Sequence, residues 1–247
     1  MSEDTALFLP GVPEDRVRAI FERAAGNEIA SGKFANPQSS AALAANGFGW
    51  FLDRPSELPV FPPLADLAGR PVKVGIECEM RLPWSGGRHP WLNAAVWTET
   101  HLIGVESKRY EPFRGAKPAA LSDAYNRDAW GERMTRWQAM RDELCAEPRR
   151  YRHLDAAQLV KHALGISTEA SRENLEPVLI YLYAEPGGGM EISDSALLQH
   201  RREIEDLQVR VAGDRVRFAA CSWRGWLLTF TGAAADHARA VEEEFAP

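Results

Sequence analysis

The clearest pattern along the chain is a run of alternating apolar and polar positions from Val72 to Arg81. A period of two predicts a strand with one buried face. Two further strands are predicted at 92–98 and 102–108, and because short turns separate the three, we expect an antiparallel meander. The continuous apolar run at 177–183 is typical of a strand that is buried on both faces.

Apolar positions spaced three and four residues apart predict helices on both sides of these strands. The predicted helices cover 14–31, 41–46, 131–146, 155–164, 195–211 and the tail from Asp236. Asp155 is expected to cap the helix that follows it, and Asn46-Gly47 to end the helix at 41–46.

Three segments are expected to be irregular or to turn. Residues 53–71 contain five prolines and predict an irregular connector. Gly187–Gly189 interrupts the chain and is not a phosphate-binding loop, since no Gly-Lys-Ser/Thr follows it. Residues 216–231 predict two short strands, with Trp223 and Trp226 flanking the turn between them.

The order of elements is helix, three-stranded meander, insertion, helix and strand, followed by an extension. This order predicts the α/β class with a mixed central sheet. Because 247 residues are many for one compact domain and few for two, we expect a single domain over 1–247. Its core covers about 14–183 with a helical insertion at 109–154, and residues 184–247 form a C-terminal α+β extension.

Composition indicates a cytoplasmic protein. No apolar run approaches the roughly 18 residues of a membrane span, and the acidic start Met1–Asp4 differs from the basic start of a secretory signal. The three cysteines have no paired spacing, so they are expected to be reduced thiols that form neither a disulfide framework nor a zinc site.

Charge is unevenly distributed. The net charge of −6 argues against a protein that coats nucleic acid by bulk charge alone. Between Lys108 and Arg152, however, eleven Lys and Arg residues face seven Asp and Glu, a local balance of +4. The predicted DNA-backbone contacts in this insertion are Arg133, Arg136, Arg149 and Arg150, with Arg141 further round the same helix. A solvated helix with scattered charge is the alternative.

Glu106 and Lys108 carry the first chemical signal. Two residues apart on a predicted strand, their side chains leave the same face of the sheet. A carboxylate beside an ammonium group can hold a divalent metal ion through Glu106 while Lys108 orients a water molecule. An ordinary ion pair on an exposed strand face fits the same pattern.

Two more residues bear on this choice. Asn93 opens the preceding strand, and the meander is expected to bring it next to Glu106. Glu28 closes the first predicted helix, from where its carboxylate could reach the same face of the sheet.

This arrangement resembles the PD-(D/E)XK superfamily of restriction-endonuclease-like proteins. The shared core of that family has the order of elements given above, and its motif is Pro-Asp early in the second strand followed by (Asp/Glu)-x-Lys in the third. Glu106-Ser107-Lys108 fills the second part of the motif. More narrowly, four segments within about 20–183 are similar to a bacterial family of such proteins: Gly26–Glu28, Ser39–Leu43, Gly86–Pro90 and Ile103–Lys108.

The resemblance implies a DNA endonuclease that depends on Mg²⁺, with Mn²⁺ as a substitute. Glu28, Glu106 and the Ser107 carbonyl would hold the metal ion, which would polarise the scissile phosphate and lower the pKa of a bound water. Lys108 would steady that water or the developing negative charge. Because related enzymes often dimerise to cut two strands, a homodimer is a further expectation.

Asn93 departs from the family pattern, which places an aspartate there. An amide oxygen can bind Mg²⁺, but it lacks the negative charge that hard cations favour. Three explanations compete: catalysis was weakened in this lineage, the residue is an introduced substitution, or Glu77 or Glu79 on the neighbouring strand compensates. Those two glutamates share one face of the predicted strand, and a solvated strand face is the simpler explanation of them.

Three functional hypotheses therefore stand. The first is a metal-dependent DNA endonuclease, the second a nuclease-derived module that binds nucleic acid or a protein without cleavage, and the third a partner-binding α/β protein with a mere salt bridge. In the helix after the motif strand, Gln158 and Lys161 are candidate supporting polar groups or surface residues, and His162 is interpreted as structural.

Overall fold

A five-stranded mixed sheet forms the centre of the computed structural model, which describes residues 7–24, 26, 28–67, 69–115, 118–186 and 192–247. The strands follow one another in the sheet in chain order: β1 (Lys73–Glu79), β2 (Trp91–Trp97), β3 (His101–Lys108), β4 (Glu176–Tyr183) and β5 (Arg217–Ser222). The predicted α/β class with a mixed sheet is confirmed.

Strand direction decides which ends meet. β1, β2 and β3 pair antiparallel, as predicted, whereas β4 is parallel to β3 and β5 is parallel to β4. The carboxyl ends of β1, β3, β4 and β5 and the amino end of β2 therefore lie along one edge of the sheet. We call this the carboxyl edge.

Helices cover both faces of the sheet. They are α1 (Glu14–Arg23), α2 (Ser40–Gly49), α3 (Thr135–Ala146), α4 (Ala156–Glu173), α5 (Asp194–Val211), α6 (Trp223–Leu227) and α7 (Ala233–Phe245). Val105 and Ile180 belong to the apolar core shared with α1, α2, α6 and α7, whereas Leu102 and Leu179 belong to the core shared with α3, α4 and α5. Alternation along the strands thus divides the apolar residues between two cores.

The first helix is shorter than predicted, because it ends at Arg23 and not at residue 31. Ala24 adopts an extended conformation, and the chain turns so that Phe34 packs against Phe8 and Phe21. Burial of these rings outweighs the helical periodicity of the segment. Glu28 consequently lies in a turn and not at the end of a helix.

The second helix is longer than predicted, because it continues through Asn46-Gly47 to Gly49. Asn46 is buried and donates from its side chain to the carbonyls of Ala42 and Leu7, so its polar groups are satisfied inside the protein. Gly47 allows a close approach, since a Cβ there would lie 2.6 Å from the ring of Trp223. Tertiary packing overrides the stop signal.

The predicted hairpin at 216–231 is wrong. Only β5 forms there, and it is followed by α6, whose first turn is capped by the Ser222 hydroxyl accepting the Gly225 N–H at 3.0 Å. Trp223 and Trp226 are fully buried, and Trp226 stacks on Phe48. Burying two indoles against one helix layer favours a helical turn over an exposed strand.

Several other predicted boundaries differ less from those of the structure. α3 begins four residues later than predicted, whereas α4 has the predicted Asp155 cap and runs on to Glu173. The proline-rich connector is irregular in its described part apart from single helical turns at Pro55–Glu57 and Pro62–Leu64. The predicted break at Gly187–Gly189 falls outside the described residues. None of the described helices has the length and hydropathy to cross a membrane.

Candidate functional site

Three polar side chains form a row across β1, β2 and β3 at the carboxyl edge. The pairs Ile76–Ala94 and Cys78–Leu92 flank Glu77 and Asn93, and Ala94–Val105 is the last β2–β3 pair before Asn93 and Glu106. The row continues to Tyr181 of β4. Lys108 lies two residues beyond Glu106 on β3, so alternation brings the Glu106 and Lys108 side chains to the same face.

Glu106 is at the centre of this group and is 1% exposed. Its Oε1 lies 2.6 Å from Lys108 Nζ, and its Oε2 lies 2.9 Å from His162 Nε2. Burial alone would raise the pKa of Glu106, but the charges and hydrogen bonds of Lys108 and His162 outweigh it and lower the pKa to about 2. The same contact raises the pKa of Lys108 despite burial, so both groups are ionised.

Asn93 joins β3 to Glu77 through its amide. Its Oδ1 accepts the backbone N–H of Ser107 at 2.8 Å, which takes the place of a ladder bond beyond the last β2–β3 pair. Its side chain also lies close enough to the Glu77 carboxylate to act as a donor that lowers the pKa of that group. With the oxygen committed to Ser107, the donor to Glu77 must be the amide nitrogen. An aspartate could accept from Ser107 but could not donate to Glu77.

Glu77 has two unusual properties. Its φ of +46° is left-handed, a conformation that costs a non-glycine residue conformational energy. Burial, followed by the negative charges of Glu106 and Glu28, raises the pKa of Glu77 to about 7, and the hydrogen bond from Asn93 opposes the rise. Glu77 therefore combines a strained backbone with a carboxylate that neighbouring carboxylates repel.

The remaining predicted site residues lie at different distances from this row. Glu28 is half-buried in the turn after α1, and its charge acts on Glu77. Glu79 points its carboxylate to Arg81, with 3.4 Å between Oε2 and Nε. Ser107 directs its hydroxyl to the opposite face, where it accepts from Trp223 Nε1 at 3.1 Å. Of the two glutamates considered for compensation, Glu77 alone interacts with Glu106.

His162 is the contact that sequence reasoning missed. It is buried on α4, and its ring nitrogen lies beside the Glu106 carboxylate. A polar side chain at a core-facing helical position, between Leu159 and Ile166, was the signal available in the sequence, because such groups need a partner. Gln158 and Lys161 are half-buried on the same helix, and Lys161 lines a separate cavity.

The donors suit a hard divalent cation in type but not in their present spacing. Carboxylate, amide and carbonyl oxygens from Glu28, Glu77, Glu106, Asn93 and Ser107 are ligands that Mg²⁺ and Mn²⁺ accept. Within the described part of the chain, however, no group of three or more His, Cys, Asp or Glu residues is placed to hold a metal ion.

Electrostatics favours a cation at this place. The repulsion that raises the pKa of Glu77 would be relieved by a positive ion between the carboxylates. Lys108 and His162 lie within 3 Å of the two Glu106 oxygens, so an ion would share or exchange one of these contacts. The donor set therefore fits a divalent cation once Glu106 shares or exchanges a contact.

The arginines predicted to face DNA do not lie on one surface. The N–H groups of Arg136 and Trp137 donate to Asp214, just before β5 begins, so Arg133 and Arg136 lie toward the edge opposite the carboxyl edge. Arg150 forms ion pairs, whereas Arg149 is exposed and lines a cavity.

Arg141 is buried and structural in its contacts. It donates to the Tyr125 carbonyl and to Asp142, each at 2.7 Å. Its guanidinium is therefore engaged within the insertion.

Compared with known proteins, the chain matches no protein-family model, no curated protein and no solved structure. Its function is therefore argued from the geometry of the site.

Proposed function

We propose that this protein is a metal-dependent nuclease that hydrolyses phosphodiester bonds of DNA on a restriction-endonuclease-like core. The observation that carries the proposal is the row Glu77–Asn93–Glu106, with Lys108 on the same face as Glu106 at the carboxyl edge. An antiparallel meander followed by a helix and a parallel strand supports it, because that is the core which the sequence resemblance implies.

The residues that would hold Mg²⁺ are Glu106, Glu77 and Glu28, assisted by the oxygens of Asn93 and Ser107. When bound, the ion supplies Lewis-acid stabilisation of the phosphate and a more acidic water. Glu106 is suited to this role because Lys108 and His162 keep its pKa well below the ordinary value, so it is ionised at neutral pH.

Lys108 would act as a fixed positive charge. The neighbouring Glu106 carboxylate raises the pKa of Lys108, so its ammonium group does not lose a proton near neutral pH. It can orient a water molecule and stabilise negative charge that develops on the phosphate, but it cannot serve as the general base.

Glu77 would supply the charge that Asn93 lacks. With a pKa of about 7 it is part-protonated near neutral pH, and a cation beside it would draw out the proton. Cation binding is therefore expected to release a proton and to weaken below neutral pH.

The test is cleavage of supercoiled plasmid with Mg²⁺ or Mn²⁺ by three proteins: the wild type, Asn93→Asp and Glu106→Gln. We expect nicking by the wild type, faster nicking by Asn93→Asp and none by Glu106→Gln. Retained cleavage by Glu106→Gln, or no cleavage of plasmid or of an RNA control by any of the three, would overturn the proposal.

A second candidate is a nuclease-derived module that binds nucleic acid or a protein partner without cutting. It is favoured by the close contacts of the row, since Asn93 is neutral and the two Glu106 oxygens lie 2.6 and 2.9 Å from Lys108 Nζ and His162 Nε2. Nucleic-acid binding that needs no metal ion, together with no cleavage even by Asn93→Asp, would select this candidate.

A further inference from the structure

A cavity that is lined by Lys108 adjoins a second cavity. The first has a volume of about 290 Å³ and is lined by Lys108, Arg114 and Arg152 among others. The second has a volume of about 550 Å³ and is lined by Arg114, Arg149 and Arg152. Because the two cavities share Arg114, Gly115, Tyr151, Arg152 and His153, they form one groove. We call it the arginine groove.

The arginines of this groove are available to a ligand. Arg114, Arg149 and Arg152 are exposed, and none of them forms an ion pair with another described residue. Among the described residues, the Arg114 guanidinium donates to Gln38 Oε1, at 3.0 Å. By contrast, Arg150 lies within 4 Å of three carboxylates.

The acidic residues of the groove are already committed. Glu111 accepts from the Ser40 hydroxyl at 2.5 Å and from the Arg109 N–H at 3.0 Å. Asp155 caps α4 by accepting the Gln158 N–H at 2.9 Å. The guanidinium groups of the groove therefore have no carboxylate of a described residue within ion-pair distance, while Glu111 and Asp155 remain negative charges near Lys108.

Hydrogen bonds hold the segment that carries Arg152, residues 151–154, in place. The buried Glu203 carboxylate accepts the backbone N–H groups of Arg152, His153 and Leu154 at 2.8–2.9 Å. The Tyr151 hydroxyl donates to Asp206 at 2.6 Å. The segment is thus preorganised by contacts that leave the Arg152 guanidinium free, which lowers the entropic cost of binding.

We propose that the arginine groove binds the phosphodiester backbone of one nucleic-acid strand and leads it to Lys108. Guanidinium groups bind phosphate oxygens in a bidentate geometry. The first cavity is close to the lower limit of about 300 Å³ for small-molecule sites, which suits part of one strand and not a whole duplex. The proposal deepens the proposed nuclease function by assigning its substrate path.

The test is binding of a labelled single-stranded DNA oligonucleotide in EDTA, measured by fluorescence anisotropy over a range of salt concentrations. Arg152→Ala and Arg149→Ala are compared with Arg136→Ala and Arg133→Ala, which remove exposed arginines outside the groove. We expect each groove variant to weaken binding about tenfold, as for one lost charge-assisted hydrogen bond. The slope of log K against log salt should fall by about 0.7 for each lost phosphate contact.

Equal effects of the groove and control variants would overturn the inference, and so would binding of a duplex but not of a single strand. Because EDTA removes divalent cations, this result is independent of cleavage. If all plasmid assays fail while the groove variants alone lose binding, the nuclease proposal falls and the groove stands. If plasmid is cut but Arg152→Ala binds like the wild type, the nuclease proposal stands and the inference about the groove falls.

Discussion

The side-chain oxygen of Asn93 accepts the backbone N–H of Ser107 at 2.8 Å, at the point where the ladder between β2 and β3 ends. The opposite end of the amide faces Glu77 and lowers the pKa of its carboxyl group. One neutral side chain thus serves a backbone donor and stabilises a neighbouring carboxylate. Asn93 fits the site that it occupies better than the aspartate of the family motif would in the absence of a cation.

Asn93→Asp should lower stability when no divalent cation is present. The change removes the donor to Glu77 and adds a third carboxylate to the row with Glu77 and Glu106, at an expected cost of about 1–3 kcal/mol. Mg²⁺ should restore much of the loss, because it binds the folded state. Thermal unfolding with EDTA and with Mg²⁺ measures both effects.

Asn36→Asp is the matched control. Asn36 is exposed and uses its side-chain oxygen to accept the Gln38 N–H, a bond that an aspartate can keep. The Asn36→Asp change adds the same negative charge, but outside the site. A similar loss of stability and a similar Mg²⁺ response in both variants would contradict the account of Asn93.

Glu77→Gln should remove a pH-dependent penalty. The pKa of Glu77 is raised from 4.5 to about 7, so its contribution to stability is fully present below about pH 4.5 and is lost as the pH rises through about 7. At about pH 8 the variant should be more stable than the wild type by at most about 3 kcal/mol. At about pH 5 the difference should be small.

Urea unfolding of both proteins at these two pH values measures the difference. His200 and His237, whose pKa values burial lowers to about 4, titrate equally in both proteins and cancel. A stability difference that does not change with pH would show that Glu77 is not titrating as described.

His162→Ala should destabilise the fold by about 1–3 kcal/mol, because it leaves one oxygen of the buried Glu106 carboxylate without its partner. His162→Gln keeps a donor and should recover part of the loss. Lys161→Ala, at the half-buried neighbouring position, is the control and should change stability little. If the Ala and Gln variants at position 162 unfold at the same denaturant concentration, the contact with Glu106 contributes nothing.

Periodicity predicted the central sheet well. Alternation from Val72 and the apolar run at 177–183 identified β1 and β4, because strand faces are set by a two-residue repeat that the sequence displays. The same repeat predicted a common face for Glu106 and Lys108. These are local consequences of backbone geometry.

Features that depend on distant residues were not predictable in this way. The end of α1 at Arg23 depends on Phe34 packing back, and α6 depends on burial of Trp223 and Trp226. The partnership of His162 with Glu106 joins positions 56 residues apart that only the packing of α4 on the sheet brings together. Positive φ at Glu77 has no signal in the residue type.

The most direct test of a divalent-cation site in this row is Mn²⁺ binding, followed by electron paramagnetic resonance, in the wild type, Glu106→Gln, Glu77→Gln and Glu79→Gln. Glu79 is the matched control, because it lies on the same strand but pairs with Arg81. We predict saturable binding by the wild type and Glu79→Gln, weaker binding by Glu77→Gln and none by Glu106→Gln. No saturable binding by the wild type, or unchanged binding by Glu106→Gln, would contradict the account.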